Sequence, residues 1–498
     1  MSEHYPALLV ILPLLASFFI SAAGWFRPVL CFPFTVAGLA GSLLVSLGLL
    51  GDVMSGGPVS YRFAGWDPPW GIYYRVDHLN ALVLAVVSVV GFINLLAARS
   101  SVEKEFPEKA GPFYTLYVLF MTGLLGMVVT GDAFNLYVLL EIAAITGYAL
   151  IALGKGRAPL SSLHYIFMGT IGASFYLLGV GYLYIVTGSL NMEDIARLLP
   201  PLYESKVVTA AFVILMVGVW LKMGFFPLHA WLPNAYTHAP SPVSSLVAPL
   251  MTKVMVYVMI RMVVTVFTLD FAFTFLGLND AVVWLAVVAI VMGSLLALSE
   301  KDVKRMLTYI VVAEVGYMVG GFWLGNSAGF TGAVLHILND ALMTLCLFLA
   351  VGNIVHVKGN SRMESLPGLF RTMPWTMAAL VVGALSIIGV PPTCGFFSKW
   401  YLLLGALEAG HYGFLAALLF SSLVSVVLFF RIFEVGYFEP LGGSHGSAHG
   451  DDEHVVREAP LGMLVPLWIT ALGLILVGLY TGEIVGRVIR HAVPAMML

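Results

Sequence analysis

Three lysines and one glutamate lie inside long apolar segments, where an isolated charge is unfavourable. The lysines occur in TAAFVILMVGVWLKMGFFP (Lys222), SPVSSLVAPLMTKVMVYVMIR (Lys253) and GVPPTCGFFSKWYLLLGALEAG (Lys399), and Glu141 occurs in FNLYVLLEIAAITGYALIALG. A charged side chain at the centre of a bilayer costs about 3 kcal/mol or more, so such groups usually face a protein interior or a wet cavity. The chemistry that these residue types predict is the movement of ions, above all protons, between titratable groups.

Glu141 and Lys222 have opposite charges and lie two predicted helices apart. Burial lowers the pKa of a lysine, and a nearby carboxylate raises it again. A Coulomb energy of about 4 kcal/mol at about 4 Å and an effective dielectric of about 20 is enough to move a proton. A gating ion pair is therefore predicted; the alternative is a static pair that only fixes helix packing.

Further titratable residues lie between Lys253 and Lys399 along the chain: Glu314 in KRMLTYIVVAEVGYMVGG, and His336 and Asp340 in GAVLHILNDALMTLCLF. They predict a polar relay that joins the two lysines. Three alternatives stay open. The lysines could extend toward an interface, Glu314 could be a neutral packing carboxyl, and His336 and Asp340 could satisfy each other as an i,i+4 pair.

Two histidines flank a break in the seventh predicted helix. His229 and His238 lie in LHAWLPNAYTHAP and are candidates for leading protons to the surface, with an ordinary hydrogen-bonding role as the alternative. The His- and acid-rich stretch SHGSAHGDDEHVVRE (444–458) is interpreted as a solvated loop, with adventitious metal binding as the weaker alternative.

Composition predicts a polytopic membrane protein. The chain is 60% apolar and 10% charged, with a mean hydropathy of +0.96. The first apolar run has no basic leading region, so it is expected to be a retained span. A net charge of −3 without a basic tract argues against nucleic acid binding. The cysteines are isolated and no nucleotide motif is present, so no cofactor, metal site or autonomous catalytic site is predicted.

The apolar runs predict an all-α protein of about fourteen transmembrane helices. Their expected ranges are 5–24, 29–51, 77–98, 112–130, 133–153, 160–187, 207–225, 242–267, 281–299, 304–324, 328–356, 373–409, 412–436 and 461–486. An even number places both termini on one side. Of the 24 Lys and Arg residues, three are the membrane-depth lysines, fourteen lie on the side away from the termini and seven on the terminal side. The positive-inside rule therefore predicts a multi-pass protein of the cell (plasma) membrane with both termini on the non-cytoplasmic side.

Two of the predicted helices, the seventh and the twelfth, are interrupted. The seventh meets Gly224 and Pro227, and the run 373–409 contains GVPP at 389–392. Broken helices at corresponding places in two halves are typical of inverted-repeat transporters. The expected organisation is three helices in 1–111, a five-helix repeat in 112–267, an inverted five-helix repeat in 281–436 and a last helix in 461–498.

Four motifs carry a resemblance to a known family: TGDAFNLYVLLEIAAITGYALIA, LKMGFFPLHAWLPNAYTHAPSPVSSLVAPLMTK, EKDVKRMLTYIVVAEVGY and IGVPPTCGFFSKW. Over residues 75–435 the chain resembles the antiporter-like subunits shared by respiratory complex I, Mrp-type antiporters and membrane-bound hydrogenases. The resemblance implies fourteen helices with two inverted five-helix repeats.

The resemblance also implies roles for five residues. Glu141 and Lys222 look like the family's fifth-helix glutamate and its seventh-helix lysine partner. Lys253 looks like the eighth-helix lysine, and His336 like a histidine of the eleventh helix. Lys399 looks like the terminal charge of the twelfth helix, where a lysine is similar to the Mrp D-type subunit.

The chain departs from the family pattern at three positions. Asp340 stands where many relatives have a second histidine, Thr344 where some have a lysine, and Glu314 where glutamine or histidine is usual. The relay would be acid-rich here, and carboxylates also suit sodium.

The leading expectation is a proton-translocating subunit of a multisubunit energy-converting complex, with Na⁺/H⁺ antiport as an extension. Glu141 and Lys222 would be the gate, Lys253, Glu314, His336 and Asp340 the relay, and Lys399 the exit. Its partners would be other membrane subunits, H⁺, Na⁺ and the lipid bilayer, and any redox reaction would occur in a partner such as an NADH dehydrogenase-like or hydrogenase module. The alternatives are a structural or assembly subunit with static charges and a stand-alone secondary transporter.

Overall fold

The computed structural model describes residues 2–438 and 457–498, a chain that is almost entirely helical. Residues 444–456 of the His- and acid-rich stretch lie outside the described residues. The long helices are α1 (Tyr5–Phe26), α2 (Cys31–Gly56), α3 (His78–Glu105), α4 (Ala110–Val129), α5 (Ala133–Ala152), α6 (Ala158–Thr187), α8 (Lys206–Met223), α10 (Ser241–Arg261), α11 (Asn279–Ser299), α12 (Val303–Trp323), α13 (Ser327–Lys358), α15 (Pro374–Ile388), α16 (Cys394–Glu408), α17 (Tyr412–Phe438) and α18 (Leu461–Leu479). Short helices are α7 (Met192–Leu198), α9 (Leu232–His238), α14 (Leu369–Thr372), α19 (Thr481–Ile484) and α20 (Arg490–Ala492). One antiparallel hairpin joins α2 to α3 through β1 (Val59–Arg62) and β2 (Tyr73–Val76).

The structure confirms an all-α polytopic membrane protein. Within the described residues, 13 helices are long and apolar enough to cross a membrane. The shorter helices α15 and α16 lie in the run 373–409, where one broken span was predicted. Three predicted ends were wrong. Helix α2 continues to Gly56 instead of 51. Helix α3 continues to Glu105 instead of 98, because hydropathy marks the apolar part of a helix and not its polar end. Helix α18 ends at Leu479 instead of 486, and the chain continues there as separate short turns.

Both predicted helix breaks are present, and at each of them the helix ends at a glycine with a positive φ angle. Helix α8 ends at Gly224 (φ 70°), and α15 ends at Gly389 (φ 93°). These left-handed conformations favour glycine, which has no Cβ to clash. A break leaves carbonyl groups unpaired at membrane depth, and they need other donors. The Trp231 indole donates to Leu221 O at 3.0 Å in the first break, and Lys399 donates to Ile387 O at 2.5 Å in the second.

Aspartates begin the second helix of each predicted five-helix repeat. Asp132 caps α5 by accepting from the Asn135 amide at 2.6 Å, and Asp302 caps α12 by accepting from the Arg305 amide at 3.1 Å. Each aspartate also pairs with a residue in a later loop through an isolated antiparallel bridge: Asp132 with Asn191, after α6, and Asp302 with Arg362, after α13. The two halves thus share this aspartate cap. The repeat boundaries 112–267 and 281–436 stay a prediction.

Three helices form the centre of the molecule. In the most apolar window of α10, α12 and α13, 89% or more of the residues are buried, against less than half in α1, α2, α6, α11, α17 and α18. The sequence places Lys253, Glu314, His336 and Asp340 on these central helices. Their charges are therefore enclosed by protein on every side.

Candidate ion pathway

Glu141 and Lys222 form an ion pair at the edge of the protein, here called the edge pair. Lys222 Nζ lies 3.4 Å from Glu141 Oε1, and the lysine side chain is 1% exposed while that of Glu141 is 25% exposed. Lys222 also donates to the Tyr148 hydroxyl at 3.3 Å. Val138 and Ile145, one turn on either side of Glu141, are exposed apolar residues. The carboxylate therefore lies at the outer surface of α5, with the ammonium behind it.

Glycines set the position of the edge pair. Helices α6 and α8 pack closely because Gly172 and Gly218 face each other, and a Cβ on Gly218 would lie 2.6 Å from Gly172 O. A Cβ on Gly172 would also contact Lys222 Cγ at 3.2 Å, and one on Gly169 would collide with the Tyr148 hydroxyl. Small residues thus leave the space that the lysine and the tyrosine occupy.

Lys253 and Asp340 form a second ion pair, here called the central pair, between α10 and α13. Lys253 Nζ lies 2.8 Å from Asp340 Oδ2, and both side chains are buried. The ammonium also donates to Ala248 O at 3.3 Å and Thr344 Oγ1 at 3.5 Å. The Thr344 hydroxyl donates to Asp340 Oδ1 at 2.7 Å. The lysine points into the protein and not toward an interface, which rules out the snorkelling alternative for Lys253.

Glu314 and His336 meet between α12 and α13, one turn of α13 before Asp340. His336 Nε2 contacts Glu314 Oε2, and His336 Nδ1 lies 2.8 Å from Ser398 Oγ. All three residues are buried. The alternative in which His336 and Asp340 satisfy each other as an i,i+4 pair is not present. Asp340 contacts Lys253 of α10 instead, and His336 contacts Glu314 of α12.

Lys399 lies next to this group and has neutral oxygen partners. Its Nζ donates to Ile387 O at 2.5 Å and to Ser422 Oγ at 3.1 Å. It stands 5.2 Å from the centroid of the Tyr317 ring, which is itself 5.4 Å from the ring of His336. Within residues 2–438 and 457–498, no carboxylate lies within ion-pair distance of Lys399. We call Glu314, Tyr317, His336, Ser398 and Lys399 the terminal cluster.

The predicted pathway residues thus fall into three groups, and no direct hydrogen bond in the described part of the chain joins the edge pair to the central pair. Buried polar atoms lie nearby. The Thr252 and Tyr236 hydroxyls and Asn339 Oδ1 have no hydrogen-bond partner among the described residues. Buried polar atoms of this kind are usual positions for ordered water.

The two candidate access histidines differ in their surroundings. His238 lines a cavity of about 420 Å³ together with Lys104, Glu105, Lys304 and other residues, and its Nδ1 lies 2.8 Å from Ser161 Oγ. Burial and then the nearby Arg157 and Arg305 lower the pKa of His238. His229 does not line this cavity; it stacks on Phe226 at 5.1 Å.

A line of residues leads from this cavity toward the central pair. Ser241 and His356 line the cavity, and a second space of about 10 Å³, room for about one water, is lined by Ser241, Ser245 and Gly352 among others. On α13, Asp340, Thr344, Phe348, Gly352 and His356 follow one another at intervals of four residues. Because a turn has 3.6 residues, this row winds around the helix; it begins at the central pair and ends at the cavity.

Sequence reasoning missed several partners. They are Tyr148, Tyr317, Ser398 and Ser422. The available signal was a hydroxyl near a membrane-depth charge: Tyr148 lies two turns after Glu141, Tyr317 one turn after Glu314, and Ser398 just before Lys399.

A further ion pair was also missed, at the end of the molecule that carries the chain termini. Arg261 donates to both carboxylate oxygens of Asp77, at 2.7 and 2.9 Å. Burial alone would raise the pKa of Asp77, but the Arg261 charge outweighs it and lowers the pKa from 3.8 to about 2. Asp77 also caps α3, so this pair ties the start of α3 to the end of α10.

The described residues contain no group of three or more His, Cys, Asp or Glu side chains that could hold a metal ion. Cys31, Cys346 and Cys394 are free and buried. The titratable residues are thus arranged as pairs and short chains, an arrangement suited to proton transfer.

Comparisons with known proteins match the chain over most of its length. A family model described as "NADH:quinone oxidoreductase/Mrp antiporter, TM" matches residues 130–425. The chain is 42% identical to the N-type subunit of the NADH-quinone oxidoreductase of Desulforudis audaxviator over 503 residues, covering 99% of each chain. It is 33% identical to the D-type subunit of the Na(+)/H(+) antiporter of Alkalihalophilus pseudofirmus over 401 residues, covering 80% of each.

Solved structures give the same result for the fold. A chain of the membrane-bound sulfane sulfur reductase, an archaeal respiratory membrane complex, matches with a TM-score of 0.88 and 31% identity, over 98% of this chain and 96% of that one. A chain of the Mrp complex from Dietzia sp. matches with a TM-score of 0.86 and 23% identity, over 99% and 96%. The second likeness, at this low identity, concerns the fold alone.

Proposed function

Because the chain belongs to the NADH:quinone oxidoreductase/Mrp antiporter transmembrane family, we propose that it is a proton-translocating membrane subunit of a multisubunit energy-converting complex. It is a multi-pass membrane protein. The proposal assigns proton transfer to the edge pair, the central pair and the terminal cluster. Any redox chemistry of the complex would belong to another subunit.

The central pair is the observation that carries this proposal. Lys253 and Asp340 are 2.8 Å apart and almost completely excluded from solvent. Burying two charges costs several kcal/mol per ion, and packed apolar residues would stabilise the helices at least as well. A buried Lys–Asp pair between the most enclosed helices is therefore better explained by ion transfer than by stability.

The edge pair is suited to gating. Lys222 Nζ is nearly equidistant from Glu141 (3.4 Å) and the Tyr148 hydroxyl (3.3 Å). A small movement of the ammonium toward Tyr148 would weaken the ion pair, and the lysine would then release its proton more easily, because a neighbouring carboxylate favours the charged form. Glu141 lies at the outer surface, where a neighbouring subunit of the complex would cover it.

The terminal cluster is suited to passing a proton on. His336 contacts Glu314 through one ring nitrogen and Ser398 through the other. An imidazole between two such groups takes up a proton at one nitrogen and releases it from the other. Ser398 precedes Lys399 in the chain, and the Lys399 ammonium lies at the break between α15 and α16, from which the proton would leave.

The cavity at His238 is the proposed uptake site. It lies on the face opposite the termini, where the loops carry most of the Lys and Arg residues, so we assign this face to the cytoplasm. His238 would be the group that exchanges protons with the cavity there. The α10–α13 contact, with Ser241, Ser245 and Gly352, would lead them to the central pair.

One observation favours the alternative of a structural role. The central pair and its Thr344 hydroxyl form a closed set of contacts that would also lock α10 against α13. A stand-alone transporter has less support, since the curated relatives are named as subunits of larger enzymes or antiporters.

The test is proton translocation by edge-pair variants. Lys222→Ala and Glu141→Ala are expected to abolish proton uptake into inverted membrane vesicles, followed with a pH-sensitive dye, while native gels show an assembled complex. Lys301→Ala, at an exposed loop lysine, is the control and should translocate normally. Normal translocation by assembled Lys222→Ala and Glu141→Ala complexes would exclude the gating role.

A further inference from the structure

The cavity that holds His238 has an excess of basic side chains, and we call it the basic cavity. Its volume of about 420 Å³ lies in the range that is usual for ligand sites. The charged residues of its lining are Lys104, Lys155, Lys304, Arg362, Glu105 and Asp302. Four cations thus face two carboxylates, which leaves two positive charges in excess.

The two carboxylates of the basic cavity are held by other groups. Both oxygens of Asp302 accept from the Ser361 hydroxyl, at 2.9 and 3.0 Å, and one of them also accepts from the Arg305 amide. Glu105 accepts from the Ser241 amide at 3.3 Å. Among the residues that the structure describes, neither carboxylate lies within ion-pair distance of any of the four cations. The carboxylates therefore leave the cations free to bind an anion.

One of the four cations, Lys304, is buried. Its ammonium donates to the Ala239 carbonyl at 2.5 Å and makes no other hydrogen bond in the described part of the chain. A buried charge without an opposite charge is unfavourable. Two further lining groups, Thr237 Oγ1 and His356 Nδ1, are buried polar atoms without a hydrogen-bond partner among the described residues. An anion with several acceptor oxygens would satisfy all these groups together.

The position and the charge of the basic cavity favour a phosphate group. Its lining comes from the ends of α3, α9 and α13 and the starts of α10 and α12, on the face opposite the termini. Basic pockets between transmembrane helices on the cytoplasmic side bind phosphorylated headgroups, and lysine and arginine are the usual partners of phosphate oxygens. A phosphate monoester carries about 1.5 to 2 negative charges near neutral pH, which matches the two excess positive charges.

We propose that the basic cavity binds a phosphate group with close to two negative charges, either inorganic phosphate or the phosphomonoester headgroup of a lipid. Lys304 and Thr237 bind it from the buried side, and Lys155 and Arg362, which are exposed, bind it from the solvent side. The binding itself goes beyond the proposed function and does not depend on proton transfer. Its consequence rests on that function: a bound phosphate would occupy the proposed uptake site next to His238.

The test is thermal unfolding of the full-length chain, purified in detergent. Potassium phosphate should raise the melting temperature saturably, because a ligand that binds only the folded state stabilises it. Potassium chloride at equal ionic strength should not. A second arm, in phosphate-free buffer, compares mixed micelles that contain phosphatidic acid with micelles that contain phosphatidylcholine. A rise with potassium phosphate alone identifies the free ion as the ligand, and a rise with phosphatidic acid alone identifies the lipid.

Two double variants locate the response. Lys155→Gln/Arg362→Gln removes two exposed cations of the basic cavity, whose side chains make no hydrogen bond in the described part of the chain, so the fold should be kept. It should raise the concentration of half-effect about tenfold or more. Lys109→Gln/Lys301→Gln removes two exposed cations of the same face that do not line the cavity, and it should respond like the wild type.

Two outcomes would overturn the phosphate site: no rise in the wild type with either probe, or the same response in the wild type and both double variants. The proposed function would be untouched by either outcome, because proton translocation by the edge-pair variants tests it separately. An assembled wild-type complex that binds phosphate but translocates no protons would overturn the proposed function and keep the phosphate site.

Discussion

The edge pair and the central pair contain the same two charges in different surroundings. In the central pair the nitrogen–oxygen distance is 2.8 Å and both side chains are enclosed. In the edge pair the distance is 3.4 Å and a quarter of the Glu141 side chain is exposed. In an enclosed pair, removal of one charge leaves the other buried without an opposite charge, which is strongly destabilising. An exposed carboxylate can exchange its partner, which is the property that a gate needs.

The largest expected effect is on stability at the central pair. Lys253→Ala leaves the Asp340 carboxylate uncompensated in the interior and should lower the free energy of unfolding by about 3–5 kcal/mol. Thermal or denaturant unfolding of the purified chain in sodium-free choline buffer would measure this. The matched control is Lys253→Met/Asp340→Leu, which removes both charges and should regain most of the stability. A loss below about 1 kcal/mol in the single variant would remove the contrast between the pairs.

An intermediate effect is expected at the Asp77–Arg261 pair, whose side chains are 23% and 11% exposed. The pKa of Asp77 is lowered from 3.8 to about 2, so the ionised carboxylate stabilises the folded state by about 2–3 kcal/mol. This contribution is present above about pH 4 and is lost as the pH falls toward 2.

Asp77→Asn should therefore destabilise the protein by about 2 kcal/mol at pH 7, and the difference from the wild type should shrink as the pH falls from about 4 to 2. Melting temperatures across that pH range would show it. Asp67→Asn, in an exposed pair with Arg62, should have little effect at any pH. A difference for Asp77→Asn that does not change with pH would contradict the assigned ion pair.

The smallest effect on stability is expected at the edge pair. Glu141→Gln keeps the shape of the side chain and should change the free energy of unfolding by less than about 1 kcal/mol, as for other partly exposed pairs. Proton translocation should nevertheless stop. Glu103→Gln, in an exposed pair with Arg99, is the control and should change neither quantity. If Glu141→Gln lowered the free energy of unfolding as much as Lys253→Ala does, the edge pair would have a structural role and the contrast between the two pairs would be lost.

The number and position of the helices could be predicted from the sequence because hydropathy reports directly which segments lie in lipid. The breaks at Gly224 and Gly389 were also predictable, since glycine and proline interrupt an apolar run visibly. Helix ends were less accurate. The polar end of α3 carries no apolar signal, whereas the apolar residues Ile484 and Val485 after Leu479 extended the last predicted span beyond the end of α18.

The partners of the charged residues could be predicted only in part. Glu141 with Lys222 followed from a resemblance and opposite charge, and the contact is present. The pairing of Lys253 with Asp340 depends on which faces of α10 and α13 meet, and a single sequence does not report that. The alternative pairing of His336 with Asp340 on one helix is not present, because the facing helices α12 and α10 supply Glu314 and Lys253 as partners.

The most direct test of the account is proton translocation by the Lys253→Met/Asp340→Leu double variant in the assembled complex. This variant replaces the central pair by apolar residues, so it keeps the packing role and removes any transfer role. Ion transfer through the central pair predicts a stable, assembled complex that translocates no protons. Wild-type translocation by this complex would show that the central pair only holds the helices together.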